Sequence, residues 1–504
     1  MATGSTLSGS RPEIRGLQYW MERVLKELDA VRESPDPDAV HDLRVAIRRC
    51  RSVAAVMEEV DSDPSWRDMR KLARKLFRQL GELRDTQVLE DWTKNLGPES
   101  DAVRERLLSS FLAQEKELQV SALKAVDKFD QKAWKKFERK LHHRSRLVPC
   151  DGLAAECLAL ERLDAAKELH ARAMRAEKPE AWHELRIGVK RFRYTVESLL
   201  PARYAQWGDQ LKRVQDLLGE VHDLDVLAAK IGEIAPELTE ARMAWAERIT
   251  TQRHERIETY RSLAIGERGV WQVWRSELPQ AARMAAAAQA RLRATAKSLE
   301  AHTPRILLIS RLSMRLFDGL GRWHADPHLP NKDLRRIVLA AGRLHGIGAG
   351  LDAKSPQKAA RKYLRSLSLP PGWNEAEWDV MAAVVRYHRG ALPDTNSKSF
   401  GRFQPEEQKT ITLLAGVLRL ARALSKCGVL TTKGFAVEKS VEALIVRVPG
   451  LVESEQNAAT LAAGKYLLES SLGQPLIVKS CPVPGKVLEL PKKEEAPPAA
   501  AASD

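Results

Sequence analysis

The sequence contains two copies of one basic pattern, HDLRVAIRRCR at residues 41–51 and HELRIGVKRFR at residues 183–193. A second pair of segments follows in the same order, LGELRDTQVL at residues 80–89 and LGEVHDLDVL at residues 218–227. Chance does not readily produce two matched pairs in one order. The pattern therefore indicates an internal duplication into two related halves.

Each copy of the basic pattern predicts an amphipathic helix with a cationic strip beside its apolar face. At about 100° per residue, the histidine and basic positions of a copy fall on one narrow arc next to the apolar positions. The strip comprises His41, Arg44, Arg48 and Arg51 in the first copy and His183, Arg186, Lys190 and Arg193 in the second. Like charges at i,i+4 repel one another, so the strip predicts an anionic ligand. A solvated helix face remains the better interpretation for any single Arg or Lys.

The two strip histidines have three possible roles. Each could donate to a phosphate, contact the other half or bind a metal ion. Neither has a second His or Cys at ligand spacing, so a metal site is the weakest of the three.

Composition indicates a soluble protein with an anionic partner. The chain has 504 residues and a formal net charge of +15, and a positive field of this size attracts polyanions such as nucleic acid, polyphosphate or an anionic membrane. Its five cysteines are scattered, which favours reduced thiols and a cytoplasmic location. No secretory signal or membrane-spanning stretch is visible, so no membrane partner is expected.

The apolar period predicts a mainly all-α fold. Helical periodicity with short Pro and Gly breaks runs from about residue 12 to 299, which favours antiparallel hairpins and bundles. A second helical block covers residues 303–433, and strands are predicted at 441–448 and 476–478 around a helix at 458–470. The predicted boundaries are 1–10 (disordered), 11–299 (duplicated helical domain), 300–435 (second helical domain), 436–485 (small α+β segment) and 486–504 (disordered).

Further cations crowd other predicted helices. One cluster comprises Arg67, Arg70, Lys71, Arg74, Lys75 and Arg78, and another comprises Lys132, Lys135, Lys136, Arg139, Lys140, Arg144 and Arg146. Guanidinium groups bind phosphate oxygens bidentately, whereas lysines act as point charges. Such a mixture over several helices suits a long repeating phosphate chain better than one small ligand.

The duplicated segments resemble the CHAD family, the conserved histidine α-helical domain, over roughly residues 11–290. The resemblance implies two four-helix bundles related by a pseudo-twofold axis, with a basic surface that binds inorganic polyphosphate. The helix at Leu211–Val221 departs from a symmetric pattern, because it carries only Lys212 and Arg213 as cations. The predicted polyphosphate-binding residues are His41, Arg44, Arg48, Arg49, Arg51, Arg74, Lys75, Arg78, Lys136, Arg139, Lys140, His183, Arg186, Lys190, Arg191, Arg193 and Lys212.

Residues 303–433 resemble the C-terminal helical domain of the exopolyphosphatase/guanosine-pentaphosphate phosphatase family, itself similar to HD-type metal phosphohydrolases. An HD site needs a His-Asp pair, but this chain has Gly346 after His345 and Arg422 where a late Asp would stand. Two other histidines of the block, His324 and His388, are not followed by an aspartate and so form no His-Asp pair. We interpret the region as a degenerate HD-like domain. Its cations extend a phosphate-binding surface or are ordinary surface residues: Arg361, Lys362, Arg386, Arg389, Arg419 and Arg422.

The preferred hypothesis is a polyphosphate-binding protein without catalytic residues, cofactor or metal, attached to polyphosphate granules or acting as an adaptor. One alternative is an HD-type phosphohydrolase acting on polyphosphate or a nucleotide, against which Gly346 counts. The other is a nucleic-acid-binding protein. Single-strand binders interleave aromatic and basic residues, yet the first strip has no aromatic and Phe192 falls on the apolar face of the second.

Overall fold

The computed structural model describes residues 16–34, 36–176, 178–323 and 332–484. The segments predicted to be disordered, 1–10 and 486–504, lie outside the described residues, as does His324. The chain forms two compact units. The first comprises the described residues up to Glu300 together with Leu367–Asn374, and the second comprises Ala301–Ser366 and the described residues from Glu375 onward.

The first unit is helical throughout its main segment. Asp36 begins one of these helices by accepting a hydrogen bond from the Ala39 amide (2.8 Å), and Pro179 and Pro201 occupy first-turn positions where no amide donor is needed. The helices are α1 (Leu17–Glu33), α2 (Pro37–Met57), α3 (Ser65–Leu72), α4 (Arg74–Leu96), α5 (Ala102–Asp127), α6 (Gln131–Ser145), α7 (Leu153–Ala176), α8 (Pro179–Leu199), α9 (Pro201–Ile234), α10 (Thr239–Ala264), α11 (Val270–Glu277) and α12 (Ala281–Ser298).

The two halves of the first unit share their hydrophobic core. One buried cluster runs from Leu17 in α1 to Ala294 in α12 and includes Trp66 and Trp134 of the first half and Trp182 of the second. A second cluster joins the distal ends of α4, α5, α9 and α10, where Phe111 and Trp245 are buried. Apolar side chains of both halves therefore contact one another within this cluster.

The duplicated segments occupy corresponding helices. The basic patterns lie in α2 and α8, which contact each other, and the second pair of segments lies in α4 and α9, which also meet. The apolar residues beside each cationic strip, such as Leu43, Ile47, Val189 and Phe192, are fully buried. Burial of one face fixes the rotation of both helices, and this rotation positions the basic residues.

The second unit is a helical layer followed by a small sheet. Its strands are β1 (Ala436–Lys439), β2 (Leu444–Pro449) and β3 (Leu476–Cys481). Strand β2 lies in the middle and pairs antiparallel with β1 and parallel with β3. The helices of this unit are α13 (Pro304–Trp323), α14 (Lys332–Leu344), a 3-10 helix (Ile347–Gly350), α15 (Pro356–Ser366), α16 (Glu375–Tyr387), α17 (Pro405–Lys426) and α18 (Glu455–Leu472).

The predicted fold class is confirmed, since the described residues are mainly helical with one small sheet near the C-terminal end. The strand predicted at 441–448 begins later, at Leu444, and Ala436–Lys439 forms a strand that the sequence did not reveal. None of the helices that the structure describes combines the length and the apolar character needed to cross a membrane.

Candidate functional site

The helices of the first unit enclose a basic cavity of about 870 Å³, lined from α2, α3, α4, α7, α8 and α9. Both strip helices contribute to it, so the rotation set by their apolar faces brings the two cationic strips to one place. Among the lining residues that the structure describes, eight are cations and four are carboxylates. The charged lining residues are Arg44, Arg48, Arg51, Glu58, Glu59, Arg70, Asp85, Arg162, Arg186, Lys190, Arg191 and Asp223.

Two arginines of the α2 strip are bonded to the protein itself. Arg44 donates to the carbonyl oxygens of Leu80 (3.3 Å) and Gly81 (2.9 Å) and forms an ion pair with Asp85 (3.3 Å). Arg51 donates to the Arg70 carbonyl (3.0 Å), and its guanidinium carbon lies 4.8 Å from the centre of the Phe77 ring. These contacts compensate part of the positive charge of the α2 strip without a ligand. The spacing of the cations in the sequence did not reveal them.

Four other cations of the basic cavity are unpaired. The charged ends of Arg48, Arg186, Lys190 and Arg191 form no hydrogen bond or ion pair with any residue that the structure describes, although Arg48 lies 5.7 Å from the centre of the Tyr194 ring. Burial lowers the pKa of Lys190 to about 7, and the charges of Arg186 and Arg48 act in the same direction. The free protein thus holds positive charge here at an electrostatic cost that an anion would remove.

The two halves differ at corresponding positions. Arg186 and Asp223 stand where the first half has Arg44 and Asp85, yet they form no ion pair in the described structure. Burial lowers the pKa of Arg186 and raises that of Asp223 to about 6, the latter against the attraction of Arg186. The second-half arginine therefore stays available to a ligand, whereas Arg44 is held by the protein.

A histidine pair borders this side of the cavity. The Nδ1 atoms of His183 and His222 lie 3.2 Å apart, so one ring donates to the other when at least one is neutral. Burial lowers the pKa of His222 to about 4, and the charges of Arg186, His183 and Lys190 add to this effect. His222 is therefore neutral at pH 7, and its ring N–H group can donate a hydrogen bond to an anion.

Two predicted binding residues line a different cavity. Arg49 and Lys212 border a space of about 760 Å³ beside Trp20 and Tyr204, which we call the aromatic cavity. Arg49 forms an ion pair with Glu197 and lies over the Trp20 ring (5.3 Å). Burial lowers the pKa of Arg49 to about 10, helped by the neighbouring charge of Arg48.

The remaining predicted residues lie outside both cavities. Arg193 donates to the Tyr204 hydroxyl (3.3 Å), and Lys140 forms an ion pair with Asp63 (3.1 Å). Burial and the charge of Arg70 lower the pKa of Arg51, and the charge of the exposed Arg74 makes a smaller contribution. Arg74 therefore lies close to the basic cavity. The exposed members of this group are His41, Arg74, Lys75, Arg78, Lys136, Arg139 and Lys140. The structure thus places seven of the predicted residues in the basic cavity: Arg44, Arg48, Arg51, His183, Arg186, Lys190 and Arg191.

Several lining residues were not predicted. Asp85, His222 and Asp223 belong to the second duplicated segment, so the duplication itself was a signal that could have identified them. Arg162 lies in α7, outside both repeated patterns, and forms an ion pair with Glu59. No sequence spacing connects Arg162 with the strips, because only the packing of α7 against α8 brings it to the cavity.

The second unit contains a buried histidine pair in place of a carboxylate-containing site. The rings of His345 and His388 are 5.2 Å apart, and their Nδ1 atoms donate to the carbonyl oxygens of Gly342 (2.8 Å) and Val385 (2.6 Å). Burial lowers the pKa of His345 to about 4 and that of His388 well below its usual range. Among the described residues, no group of three or more His, Cys, Asp or Glu side chains is placed to hold a metal ion.

The position that lacks the aspartate is also sterically occupied. A Cβ atom on Gly346 would strike Cδ1 of Ile306, so that side chain would have to move before a carboxylate could fit.

Arg419 donates to the carbonyl oxygens of Tyr387 (2.8 Å), Gly390 (2.8 Å) and Ala391 (2.9 Å), which makes it a structural residue of the α16 C-terminus.

Comparison with family models gives two matches within the chain. Residues 16–232 match the CHAD domain, and residues 300–439 match the domain described as Ppx/GppA phosphatase, domain III. A search of curated proteins found no match. The first match spans both strip helices and every residue of the basic cavity, and the second spans the histidine pair. Residues 16–232 are therefore similar to the CHAD domain, and residues 300–439 are similar to domain III of the Ppx/GppA phosphatases.

Proposed function

We propose that this protein binds inorganic polyphosphate in the basic cavity and does not hydrolyse it. A region similar to the CHAD domain followed by one similar to Ppx/GppA domain III fits a polyphosphate-related function. The observation that carries the proposal is the convergence of Arg48, Arg186, Lys190 and Arg191, unpaired among the described residues, on one cavity.

A phosphate chain satisfies this arrangement better than a single phosphate. The four unpaired cations come from two helices and several turns, so one tetrahedral anion cannot contact them all in good geometry. A chain presents a negative charge at every unit along its length. Exposed cations next to the cavity, such as Arg74, provide contacts for the part of a long chain that extends beyond it.

Nucleic acid fits the cavity less well. Two aromatic side chains, Phe77 and Tyr194, line it, but each ring has a guanidinium group over it, from Arg51 at 4.8 Å and from Arg48 at 5.7 Å. Phe192 is fully buried in the core. Binding of single strands depends on rings that are open to stacked bases.

The absence of catalysis is also part of the proposal. Supporting it, the second unit presents buried, neutral histidines beside Arg422, whose charge helps to lower both histidine pKa values. A cation at this place repels a divalent metal ion. We expect no turnover of polyphosphate or nucleotides in the presence of Mg²⁺ or Mn²⁺.

Titration with long-chain polyphosphate tests the proposal. The triple variant Arg48→Gln/Arg186→Gln/Lys190→Gln should bind about a hundredfold more weakly or worse, because three charge-assisted contacts are lost. The slope of log K against log salt should fall by up to about 2 units. Pyrophosphate and single-stranded DNA, titrated in parallel, should compete poorly.

The matched control is Lys116→Gln/Lys124→Gln/Lys128→Gln, which removes the same number of basic side chains from exposed positions outside the cavities. It should retain nearly the affinity of the unmodified protein. Equal losses in both variants would show that only net charge matters, and tighter binding of DNA than of polyphosphate would make the cavity a nucleic-acid site; either result contradicts the proposal.

A further inference from the structure

The aromatic cavity is lined in part by α2 and α8, the two strip helices that also line the basic cavity. On α2, Arg48 lines the basic cavity and the next residue, Arg49, lines the aromatic one. On α8, Tyr194 faces the first and Glu197 the second. The two spaces therefore have separate linings, and a molecule in the aromatic cavity would not occupy the polyphosphate site.

The walls of the aromatic cavity are apolar and largely preformed. Leu17, Met57, Val148 and Leu199 line it with their side chains buried in the core, and Trp20 and Tyr204 add partly exposed rings. Its volume of about 760 Å³ lies in the range of small-molecule sites, which are mostly apolar with a few placed polar groups. A long polyanion would find few partners on such walls.

The polar groups of this cavity favour a negative charge. Arg49, Arg146 and Lys212 line it against two carboxylates, Glu197 and Asp209. Arg49 pairs with Glu197, but its Nε atom is buried and has no hydrogen-bond partner among the described residues. The cavity therefore combines an apolar interior with a surplus cation and an unused donor.

We infer that the aromatic cavity binds a small organic anion, with an apolar body against Trp20 and Met57 and one carboxylate or phosphate group at Arg49 and Lys212. This site goes beyond the proposed function and does not depend on it. Arg49 and Lys212 then serve this ligand instead of polyphosphate.

Fluorescence titration with 8-anilinonaphthalene-1-sulfonate, a flat aromatic anion, tests the inference on the full chain. The probe should bind at one site and keep its affinity in saturating polyphosphate. Ala205 is exposed on α9 and lines the cavity, so Ala205→Trp should fill the space and weaken probe binding at least about tenfold. The matched control is Ala228→Trp, at an exposed position of α9 that lines none of the described cavities, and it should bind the probe normally.

Displacement of the probe identifies the anionic group. 1-Naphthoate and 1-naphthyl phosphate should displace it, the stronger competitor marking the preferred group, whereas neutral 1-naphthalenemethanol should not. Displacement of the probe by polyphosphate, equal displacement by the neutral compound, or unchanged probe binding in Ala205→Trp would overturn the inference. Polyphosphate affinity, measured on the same Ala205→Trp sample, should stay unchanged, which separates this result from the test of the basic cavity.

Discussion

Lys190 is the residue of the basic cavity whose charge changes near neutral pH. Burial lowers its pKa to about 7, with contributions from Arg186 and Arg48. Three neighbouring groups also have shifted pKa values: burial raises that of Asp223 to about 6, lowers that of His222 to about 4 and lowers that of Arg186. Binding of an anion at this site would therefore be coupled to the uptake of protons.

We predict that polyphosphate affinity decreases as the pH rises above about 7, the pKa of Lys190 in the free protein. A bound phosphate favours the protonated amine and raises its pKa. Below pH 7 the proton is already present, whereas above it each binding event must take up a proton. Log K should then fall by up to about one unit per pH unit. Ionisation of Asp223 above pH 6 acts in the same direction.

Isothermal titration in buffers of different ionisation enthalpy measures this proton uptake directly. Lys190→Arg keeps a charge at all relevant pH values, so it should bind polyphosphate but lose most of the decrease above pH 7. An unchanged pH profile in Lys190→Arg would assign the effect to another group.

Helix α2 combines, within one strip, arginines that are bonded to the protein and an arginine, Arg48, that the proposed function assigns to the ligand. The repeat predicted the helix, its buried face and its cations, because these follow from local periodicity. It could not distinguish the members of the strip, since the acceptors of Arg44 lie on α4 and that of Arg51 is the Arg70 carbonyl on α3. Strand β1 was missed for a similar reason: the segment AVEK is short and gains its strand conformation from pairing with β2.

Single substitutions in α2 should separate these two roles. Arg44→Gln should lower the free energy of unfolding by about 1–3 kcal/mol, because the charge-assisted bonds to Leu80 and Gly81 are lost. Arg48→Gln should leave stability nearly unchanged, as Gln has a similar helix propensity, but weaken polyphosphate binding. Denaturant unfolding and polyphosphate titration of both variants provide the comparison. Equal stability losses would mean that Arg48 has a structural role as well.

At the scale of the whole molecule, the first unit includes a short segment from much later in the chain. Arg291 of α12 is 2% exposed, forms an ion pair with Glu161 (2.8 Å) and donates to the backbone oxygen (3.2 Å) and the hydroxyl (2.8 Å) of Ser368. The sequence predicted a first domain at 11–299, whereas Leu367–Asn374 also belongs to this unit. The contact between Arg291 and Ser368 depends on tertiary packing alone, and the LPPG segment at residues 369–372 has no apolar period that reveals it.

A fragment of residues 16–300 should bind polyphosphate with nearly full affinity, because every residue of the basic cavity lies within it. It should be less stable than the first unit in the full chain by about 1–3 kcal/mol, since Arg291 loses its bonds to Ser368. Denaturant unfolding followed through the tryptophans measures the difference, and full-length Ser368→Ala, which removes only the hydroxyl, should fall in between. A folded fragment without affinity for polyphosphate would place the binding site elsewhere.

The hydrogen bonds from Arg44 to the carbonyl oxygens of Leu80 and Gly81 affect how the two duplicated halves can diverge in sequence. A substitution at Arg44 lowers the stability of the fold, whichever ligand the cavity binds. A substitution at Arg186 affects only the binding of the ligand, because its guanidinium group is bonded to no residue of the described structure. A Cβ atom on Gly219 would meet no atom within 4 Å, and one on Gly81 would make only an ordinary van der Waals contact with the Arg44 guanidinium group (3.6 Å). The second half is thus the more permissive copy for evolution, and a homologue that acquires a new anionic ligand should show its first changes there.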